Sequence, residues 1–274
     1  MTRRVALLGR PLRRRHSVVM HNAAFAAAGI DARYELRELA PEEVEEAVAE
    51  ARGPEWLGLG VTAPYKRRVA ELVDEVEPDA ATIGAVNNVL RTDDGRLVGI
   101  NTDAPGFRAG AELLLGGPLT GLHVVVAGAG GVAQAVAFAC REAGVRRLTV
   151  GNRTLPASAA GVPAFALDGS EFLDAVRVAD LAINATTVGM VDPGMSIPVD
   201  ELPARATVFD CVYVPPETPL LAAARARGLR AANGSEMLIA QAAIAFERWT
   251  GIGGMAGVMR EAVAPLLADP TAQA

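Results

Sequence analysis

A glycine-rich turn between an apolar strand and an apolar helix constrains the fold of this chain more than any other feature. Residues 123–127 read HVVVA, and they are followed by Gly128, Ala129, Gly130, Gly131, Val132 and Ala133. These six residues follow the G-x-G-x-x-G/A pattern, with alanine in the last position. Glycines at such a turn let a pyrophosphate approach the backbone, and the N-terminus of the following helix favours its negative charge. The pattern predicts a dinucleotide-binding unit; the alternative is a glycine turn required only for packing.

The rest of the chain alternates between strand patterns and helix patterns. From residue 122 onward, five strand-like segments separated by helical or irregular segments predict a doubly wound sheet. An amphipathic helix is expected at 237–251. The N-terminal part has strands at 4–9, 34–39 and 56–62, helices at 17–29, 41–51 and 66–76, and a hairpin at 85–103. The sequence therefore predicts an α/β fold with a second α/β region before the glycine-rich turn.

The strand after the glycine-rich turn ends in residues that favour one dinucleotide over another. An NAD-preferring site usually has an acidic residue at this point, which binds the ribose hydroxyl. This chain instead reads LTVGNRT, with Asn152, Arg153 and Thr154. Arg153 can pair with a 2′-phosphate and stack beside the adenine, and Thr154 can donate its hydroxyl. We therefore predict NADP(H) as the cofactor, the alternative being that Arg153 is a solvated turn residue.

The charge of the chain argues against nucleic acid as a partner. Lysine and arginine number 26 against 32 aspartate and glutamate residues, a formal net charge of −6. A polyanion-binding protein is usually basic. Arg13–Arg15 form one short basic run without interleaved aromatic residues, which is a weak indication of nucleic-acid binding.

Cysteine, histidine and apolar patterns exclude several further classes of protein. Two cysteines, Cys140 and Cys211, are expected as buried free thiols, and the three histidines lack metal-ligand spacing. We therefore expect no metal site. The longest apolar stretch, 122–140, is interrupted by glycines and is read as a strand, a turn and a helix rather than a membrane span. No signal peptide is recognised, so a cytoplasmic protein without membrane attachment is expected.

Polar residues interrupt apolar runs at the ends of several predicted N-terminal strands. Thr62 and Lys66 lie in VTAPYK, Asn87 in AVNN, and Asn101 and Asp103 in NTD. Ligands of α/β proteins commonly bind where such strand ends meet. We therefore expect these side chains to converge on one cleft, although a lone lysine is more often a solvated surface group.

Further segments complete a series that runs along the chain: GRPL, HNAAF, VTAPYK, IGAVNNV, GINTDAPGF, GAGG, NRT, NATTVGM, DCVYVPPETPLL and MLIAQAAIAFERWTG. In content and order this series resembles the shikimate dehydrogenase family over nearly the whole chain. The resemblance implies NADPH-dependent, reversible reduction of 3-dehydroshikimate to shikimate, a step of aromatic amino-acid synthesis. It also implies two domains: an α/β substrate domain of residues 1–103 and 237–274, and a doubly wound Rossmann NADP-binding domain of residues 104–236.

The resemblance assigns a catalytic pair. Lys66 and Asp103 match the family's catalytic lysine and aspartate. An ammonium beside the substrate carbonyl can stabilise the developing alkoxide and deliver a proton to it. Asp103 is then expected to orient Lys66 and to bind a ring hydroxyl.

The same resemblance implies the remaining contacts. Substrate hydroxyls are expected at Asn87 and Gln241, the substrate carboxylate near Ser17, Thr62 and Tyr213, and the cofactor at Thr186, Gly234 and Met237.

The first loop departs from the family's pattern. The family normally has Ser-x-Ser here, and both hydroxyls bind the substrate carboxylate, whereas this chain has Arg15 and Ser17. Two neighbours also differ, because Gly60 replaces the usual asparagine and Asn88 the usual threonine. Arg15 can pair with a carboxylate or a phosphate. Alternatively it turns to solvent, and the pocket then lacks one hydroxyl. We favour a dehydrogenase with altered substrate or kinetics over an unaltered biosynthetic enzyme.

Several alternatives stay open at this point. The substrate is a cyclic hydroxy acid that can be shikimate, quinate or an amino-substituted analogue. A catalytically silent NADP-binding sensor on the same fold is a second hypothesis, although the intact Lys66 and Asp103 count against it. The sequence does not determine the oligomeric state, for which a homodimer is one candidate.

Overall fold

The computed structural model describes residues 2–190 and 192–268. They form two compact units. The first holds the described residues up to Thr102 and those from Ile239 onward, and the second is Asp103–Leu238. The chain therefore passes from one unit to the other after Thr102 and again before Ile239. Both positions lie beside the domain boundaries predicted from the sequence, which are after residue 103 and before residue 237.

The first unit is built on a six-stranded mixed sheet. Its order is β2-β1-β3-β5-β6-β4, with β5 antiparallel to both of its neighbours and the other pairs parallel. The central strand β3, with the sequence WLGLGV, lies between β1 and β5 and is buried along its whole length. The strands are β1 (Arg3–Gly9), β2 (Ala32–Glu38), β3 (Trp56–Val61), β4 (Glu75–Val76), β5 (Asn88–Arg91) and β6 (Leu97–Ile100).

The helix α4 of the first unit begins and ends at residues suited to those positions. Pro78 opens α4 and Gly84 ends it in the left-handed conformation, the usual asymmetry of helix ends. The helices are α1 (His16–Ala27), α2 (Val44–Glu50), α3 (Lys66–Ala70), α4 (Pro78–Ile83) and, after the second unit, the end of α9 (Ser235–Thr250) and α10 (Ala256–Ala268), with a 3-10 turn at Pro41–Glu43.

The second unit contains a seven-stranded sheet in the order β13-β12-β11-β7-β8-β10-β9. All neighbours are parallel except β9 and β10. Without the short β9, this is the 3-2-1-4-5-6 order of a dinucleotide-binding sheet, so the predicted α/β fold is confirmed. The elements are α5 (Asp103–Leu115), β7 (His123–Ala127), α6 (Gly131–Glu142), β8 (Arg147–Asn152), β9 (Ser158–Ala159), β10 (Val162–Ala166), α7 (Ser170–Val176), β11 (Leu181–Asn184), a 3-10 turn (Val199–Glu201), β12 (Thr207–Asp210), α8 (Pro219–Ala226) and β13 (Arg230–Asn233).

Two local expectations were wrong and the strand β10 was not predicted; tertiary pairing explains the first and the last of these differences. The helix expected at 66–76 ends at Ala70, because Glu75–Val76 pair with β6 and Asp74 Oδ2 accepts a hydrogen bond from Leu97 N at 2.7 Å. Asp103 opens α5 instead of ending a strand. The sequence reading also missed β10, which pairs with β8 at the edge of the sheet. Among the described residues, every helix is too short or too polar to span a bilayer.

A buried histidine makes the first unit sensitive to pH. The ring of His21 stacks on Tyr34, with 4.4 Å between centroids, and lies 5.2 Å from the ring of Trp249. Burial lowers the pKa of His21 from 6.5 to about 3, so the folded protein holds the ring neutral. The unfolded chain binds a proton near pH 6.5. The free energy of unfolding therefore keeps its full value above pH 6.5. As the pH is lowered from 6.5 to 3, it decreases by about 1.4 kcal/mol per pH unit.

Urea unfolding at pH 7.5, 6.5 and 5.5 measures this effect. Both tryptophans, Trp56 and Trp249, lie in the first unit, so their fluorescence follows that unit selectively. We expect His21→Phe to weaken the dependence on pH, and His123→Gln, a change in the second unit, to leave it as in the parent protein. Equal slopes in the parent and in His21→Phe would contradict the assignment.

Candidate active site

The carboxyl end of β3 forms one edge of the first sheet together with the segments beside it. Thr62 N donates to Leu8 O at 2.8 Å, and Val61 N donates to Asn87 O at 2.8 Å. Asn87 N in turn donates to Ile100 O at 3.1 Å. These bonds bring the ends of β1, β3 and β6 and the start of β5 side by side. They place the backbone of Thr62 next to that of Asn87, while the convergence of the predicted side chains on one cleft stays a prediction.

Four side chains at this edge form what we call the amide–hydroxyl cluster: Asn87, Asn88, Thr102 and Gln241. The buried Thr102 hydroxyl accepts hydrogen bonds from Asn87 Nδ2 at 3.1 Å and from Asn88 Nδ2 at 2.9 Å. It donates to Gln241 Oε1 at 3.3 Å. Thr102 N also donates to Asn87 Oδ1 at 2.8 Å. The cluster thus joins the two predicted hydroxyl-binding residues, Asn87 and Gln241, through Thr102 and Asn88, which the sequence reading gave no role.

Lys66 begins α3 four residues beyond Thr62, and its side chain is half-buried. Val86 N donates to Lys66 O at 3.0 Å, which ties the start of the helix to the segment before Asn87. A Cβ at Gly9 would lie 2.4 Å from Thr62 Cγ2, so β1 passes close to this loop. Arg10 N donates to Ala63 O at 3.1 Å, and this bond and the bond from Val86 hold the backbone of the VTAPYK segment at the same sheet edge.

Arg15 and Ser17 lie at the start of α1. Arg15 is exposed, and it precedes the helix without capping it through its side chain. Ser17 is half-buried in the first turn, where the unpaired backbone N–H groups of a helix favour an anion. A side-chain hydrogen bond joins Ser17 to the phenol of Tyr34. The exposed position of Arg15 is compatible with both alternatives, a carboxylate clamp and a solvated side chain.

In the second unit, five parallel strands end at one edge. The register pairs Ala127 with Gly151 and with Asn184, and pairs Asp210 with Asn184 and with Asn233. The residues that follow these strands therefore lie side by side. They include most of the predicted cofactor residues: Gly128–Ala133 after β7, Asn152–Thr154 at the end of β8, Thr186 after β11 and Gly234 after β13.

The glycine-rich turn fits a pyrophosphate. Gly128 has a φ of +119°, and a Cβ there would lie 2.8 Å from Ala185 O, so the end of β11 closes one side of the turn. A Cβ at the exposed Gly130 would have no neighbour within 4 Å, which leaves space in front of α6. The helix has no side-chain cap, so its first N–H groups are available to a ligand. This turn lies at the point where the strand order reverses, the usual binding position in such sheets.

The turn after β8 presents the predicted selectivity residues to solvent. Asn152 Nδ2 donates to Thr154 O at 2.8 Å, which fixes the turn. Arg153 and Thr154 are both exposed. Their position beside the glycine-rich turn follows from the pairing of Ala127 with Gly151.

A buried polar network holds the Thr186 loop, and the sequence reading did not identify it. Asn184 Oδ1 accepts hydrogen bonds from Thr186 N at 3.1 Å and Thr186 Oγ1 at 2.7 Å. Asn184 Nδ2 donates to Asp210 Oδ1 at 2.8 Å, and Thr218 Oγ1 donates to Asp210 Oδ2 at 2.6 Å. Burial raises the pKa of Asp210. The signal available in the sequence was the polar residue that ends each of two apolar strands, as in LAIN and TVFD.

The remaining residues of the second unit that were predicted to contact a ligand, Tyr213, Gly234 and Met237, follow β12 or β13 in the chain. A Cβ at Gly234 would lie 2.4 Å from Cys211 O, so only glycine fits there. Met237 is buried, and its backbone N would lie 3.0 Å from a Cβ at Gly110. Tyr213 is half-buried, three residues beyond the end of β12.

The predicted catalytic residues Lys66 and Asp103 fall in different units. Lys66 belongs to the first unit, whereas Asp103, which is buried, is the first residue of the second. Their pairing stays a prediction, as do the ligand contacts assigned to the other residues. Both predicted free thiols are observed, with Cys140 buried and Cys211 half-buried. Across residues 2–190 and 192–268, no group of three or more His, Cys, Asp or Glu residues is arranged to hold a metal ion.

Two protein-family descriptions match parts of this chain. "Shikimate dehydrogenase substrate binding domain" matches residues 7–89, and "Shikimate 5'-dehydrogenase C-terminal domain" matches residues 234–264. The first match contains the predicted Lys66 and Asn87, and the second contains Gln241.

Relatives match over nearly the whole chain. The shikimate dehydrogenase (NADP(+)) of Symbiobacterium thermophilum is 40% identical over 273 residues, which cover 94% of this chain and 92% of that protein. The crystal structure of shikimate 5-dehydrogenase from Thermus thermophilus, in complex with NADP(H) and shikimate, is 38% identical with a TM-score of 0.85, covering 96% and 99%. Quinate dehydrogenase from Corynebacterium glutamicum, in complex with NAD, is 33% identical with a TM-score of 0.88, covering 97% and 99%.

Proposed function

This chain belongs to the shikimate dehydrogenase family, and from that premise we propose that it reduces 3-dehydroshikimate, or a closely similar cyclic hydroxy acid, reversibly and with NADPH. Family membership makes the chain an oxidoreductase acting on a CH–OH group. The amide–hydroxyl cluster carries the proposal, because it presents Asn87 and Gln241 at the same sheet edge as Thr62. Several hydroxyl-binding groups at one sheet edge suit a polyhydroxylated ring.

NADPH, when bound, supplies the hydride. Gly128–Ala133 are proposed to hold its pyrophosphate, and Arg153 its 2′-phosphate. The Lys66 ammonium stabilises the negative charge that develops on the ketone oxygen and donates a proton to it; in the reverse direction Lys66 takes that proton back. Asp103 orients Lys66 and accepts a hydrogen bond from a ring hydroxyl. Ser17, Thr62 and Tyr213 hold the carboxylate end of the acid.

Arg15 favours a substrate other than unmodified shikimate. It places a long cation where the family normally has a small hydroxyl donor. The similarity to a quinate dehydrogenase agrees with a family in which the acid differs among members. A quinate-type or amino-substituted acid is therefore the alternative substrate.

A substrate panel tests this proposal. Shikimate, quinate and an amino-substituted analogue are each supplied with NADP, and the formation of NADPH is followed by absorbance. We expect turnover of at least one acid. Thermal stabilisation by NADP with no turnover of any acid would contradict the proposal and favour a silent NADP-binding sensor.

Replacing Arg15 by serine tests its effect on the choice of acid. We expect Arg15→Ser to raise kcat/KM for shikimate by about tenfold, the factor that corresponds to 1.4 kcal/mol, because the first of the family's two serine hydroxyls is restored. Arg13→Ser, a change of an exposed cation two residues away, serves as the control and should have no effect. A fall in shikimate affinity in Arg15→Ser would instead identify the arginine as a carboxylate clamp.

Two expectations from the sequence stay predictions. A cytoplasmic location and a homodimer are both compatible with this activity, and neither is required by it.

A further inference from the structure

Gly60 lies in β3, and the hydroxyl of Tyr34 occupies the space that a side chain at position 60 would need. A Cβ on Gly60 would lie 2.5 Å from Tyr34 Oη and 3.1 Å from Leu7 Cδ1. In proteins, a Cβ essentially never lies as close as 2.5 Å to a heavy atom to which it is not bonded. The next atom of the tyrosine, Cζ, would lie 3.5 Å away, which is an ordinary contact. Tyr34 with its hydroxyl and Gly60 without a side chain therefore form a matched pair.

Several contacts fix the Tyr34 side chain. Its ring stacks on His21, with 4.4 Å between centroids and 18° between planes. The side-chain amide of Asn22 binds both polar backbone groups of Tyr34. Asn22 Nδ2 donates to Tyr34 O at 2.9 Å, and Tyr34 N donates to Asn22 Oδ1 at 2.8 Å. The residue is 2% exposed. Its hydroxyl is accordingly held in one place rather than turned to solvent.

The phenol lies among residues already assigned to the acid. It shares a side-chain hydrogen bond with Ser17, the remaining serine of the first loop. Gly60, against which it packs, pairs with Asn88 of the amide–hydroxyl cluster and is two residues before Thr62. Burial raises the pKa of Tyr34, so the phenol stays protonated. The hydroxyl can thus fix the Ser17 side chain at every pH at which the enzyme is assayed.

We propose that Tyr34 is a positioning residue for the acid's carboxylate: its hydroxyl, admitted by Gly60, fixes Ser17 in the orientation that binds the carboxylate. This inference rests on the proposed function. In this arrangement a single serine, Ser17, held by the Tyr34 hydroxyl, takes the place of the family's two serines. The pair also explains why position 60 lacks a side chain in this chain.

Tyr34→Phe tests the proposal because it removes the hydroxyl and little else. For the acid turned over best, we expect KM to rise about three- to tenfold, the range for one lost hydrogen bond, with kcat within twofold and KM for NADP unchanged. Tyr65→Phe is the matched control: it removes another buried hydroxyl of the same unit, which donates to Leu39 O at 2.5 Å, and should not change KM. An acid KM unchanged in Tyr34→Phe, or raised equally in Tyr65→Phe, would overturn the proposal.

A stability cycle tests the matched pair without any substrate. Gly60→Ala should lower the melting temperature in the parent protein and should do so markedly less in the Tyr34→Phe background, where the 2.5 Å contact no longer exists. Equal losses in both backgrounds would overturn the pairing. Absence of turnover by the parent on any acid would contradict the proposed function, whereas turnover with an unaffected Tyr34→Phe would contradict only the role of Tyr34.

Discussion

Replacing Lys66 by alanine is expected to lower kcat by at least about 100-fold while NADP still binds. The expected size is the lower range for losing a general acid–base group. The physical reason is that the ketone oxygen then lacks both the cation that stabilises its developing charge and the donor of its proton. Steady-state kinetics with the best acid measures the loss, and thermal stabilisation by NADP measures cofactor binding.

Arg67→Ala supplies the matched control for this change. Arg67 is the next residue of α3 and is exposed, so its loss removes a cation from the same helix without entering the proposed chemistry. Its kcat should stay near that of the parent. An unchanged kcat in Lys66→Ala would remove Lys66 from the reaction, and equal losses in both variants would attribute the effect to damage of α3.

Replacing Arg153 by alanine is expected to raise KM for NADP by about 10- to 100-fold and to leave KM for NAD almost unchanged. A hydrogen bond to a charged group contributes about 1.5–3 kcal/mol, and NAD lacks the 2′-phosphate that receives it. Kinetics with each cofactor at a saturating concentration of the acid measures both constants.

Arg147→Ala is the control, because Arg147 lies at the opposite end of the same strand, β8, and is also exposed. It should change neither constant. If Arg153→Ala weakened NADP and NAD equally, Arg153 would stack beside the adenine rather than pair with the 2′-phosphate.

The sequence predicts best what local patterns determine. The glycine-rich turn was recognised because glycine spacing, the preceding strand and the following helix all agree, and Gly128 does adopt the positive φ that the turn needs. The polar residue Thr62 was noticed for a similar reason, since it directly follows the apolar strand β3 in the chain. Such features depend on a few neighbours in the chain.

The missed features depend on residues that are distant in the chain. The segment at Glu75–Val76 forms a strand only because β6 lies beside it, and its own sequence fits a helix as well. Thr102 joins Asn87 to Gln241 only because α9, which carries Gln241, returns the chain to the first unit. The space that Gly60 leaves for Tyr34 requires the strand order β2-β1-β3, which no local pattern contains.

Transfer of a labelled hydride tests whether the protein reduces a ketone with NADPH. NADPH carrying deuterium at its transferable position is supplied with the ketone form of the acid that the panel identifies, and the product is analysed by mass spectrometry and NMR. We expect one deuterium on the carbon that carried the ketone, and a sharply reduced yield with Lys66→Ala. A product without deuterium at that carbon, or no product from any ketone of the panel, would contradict it.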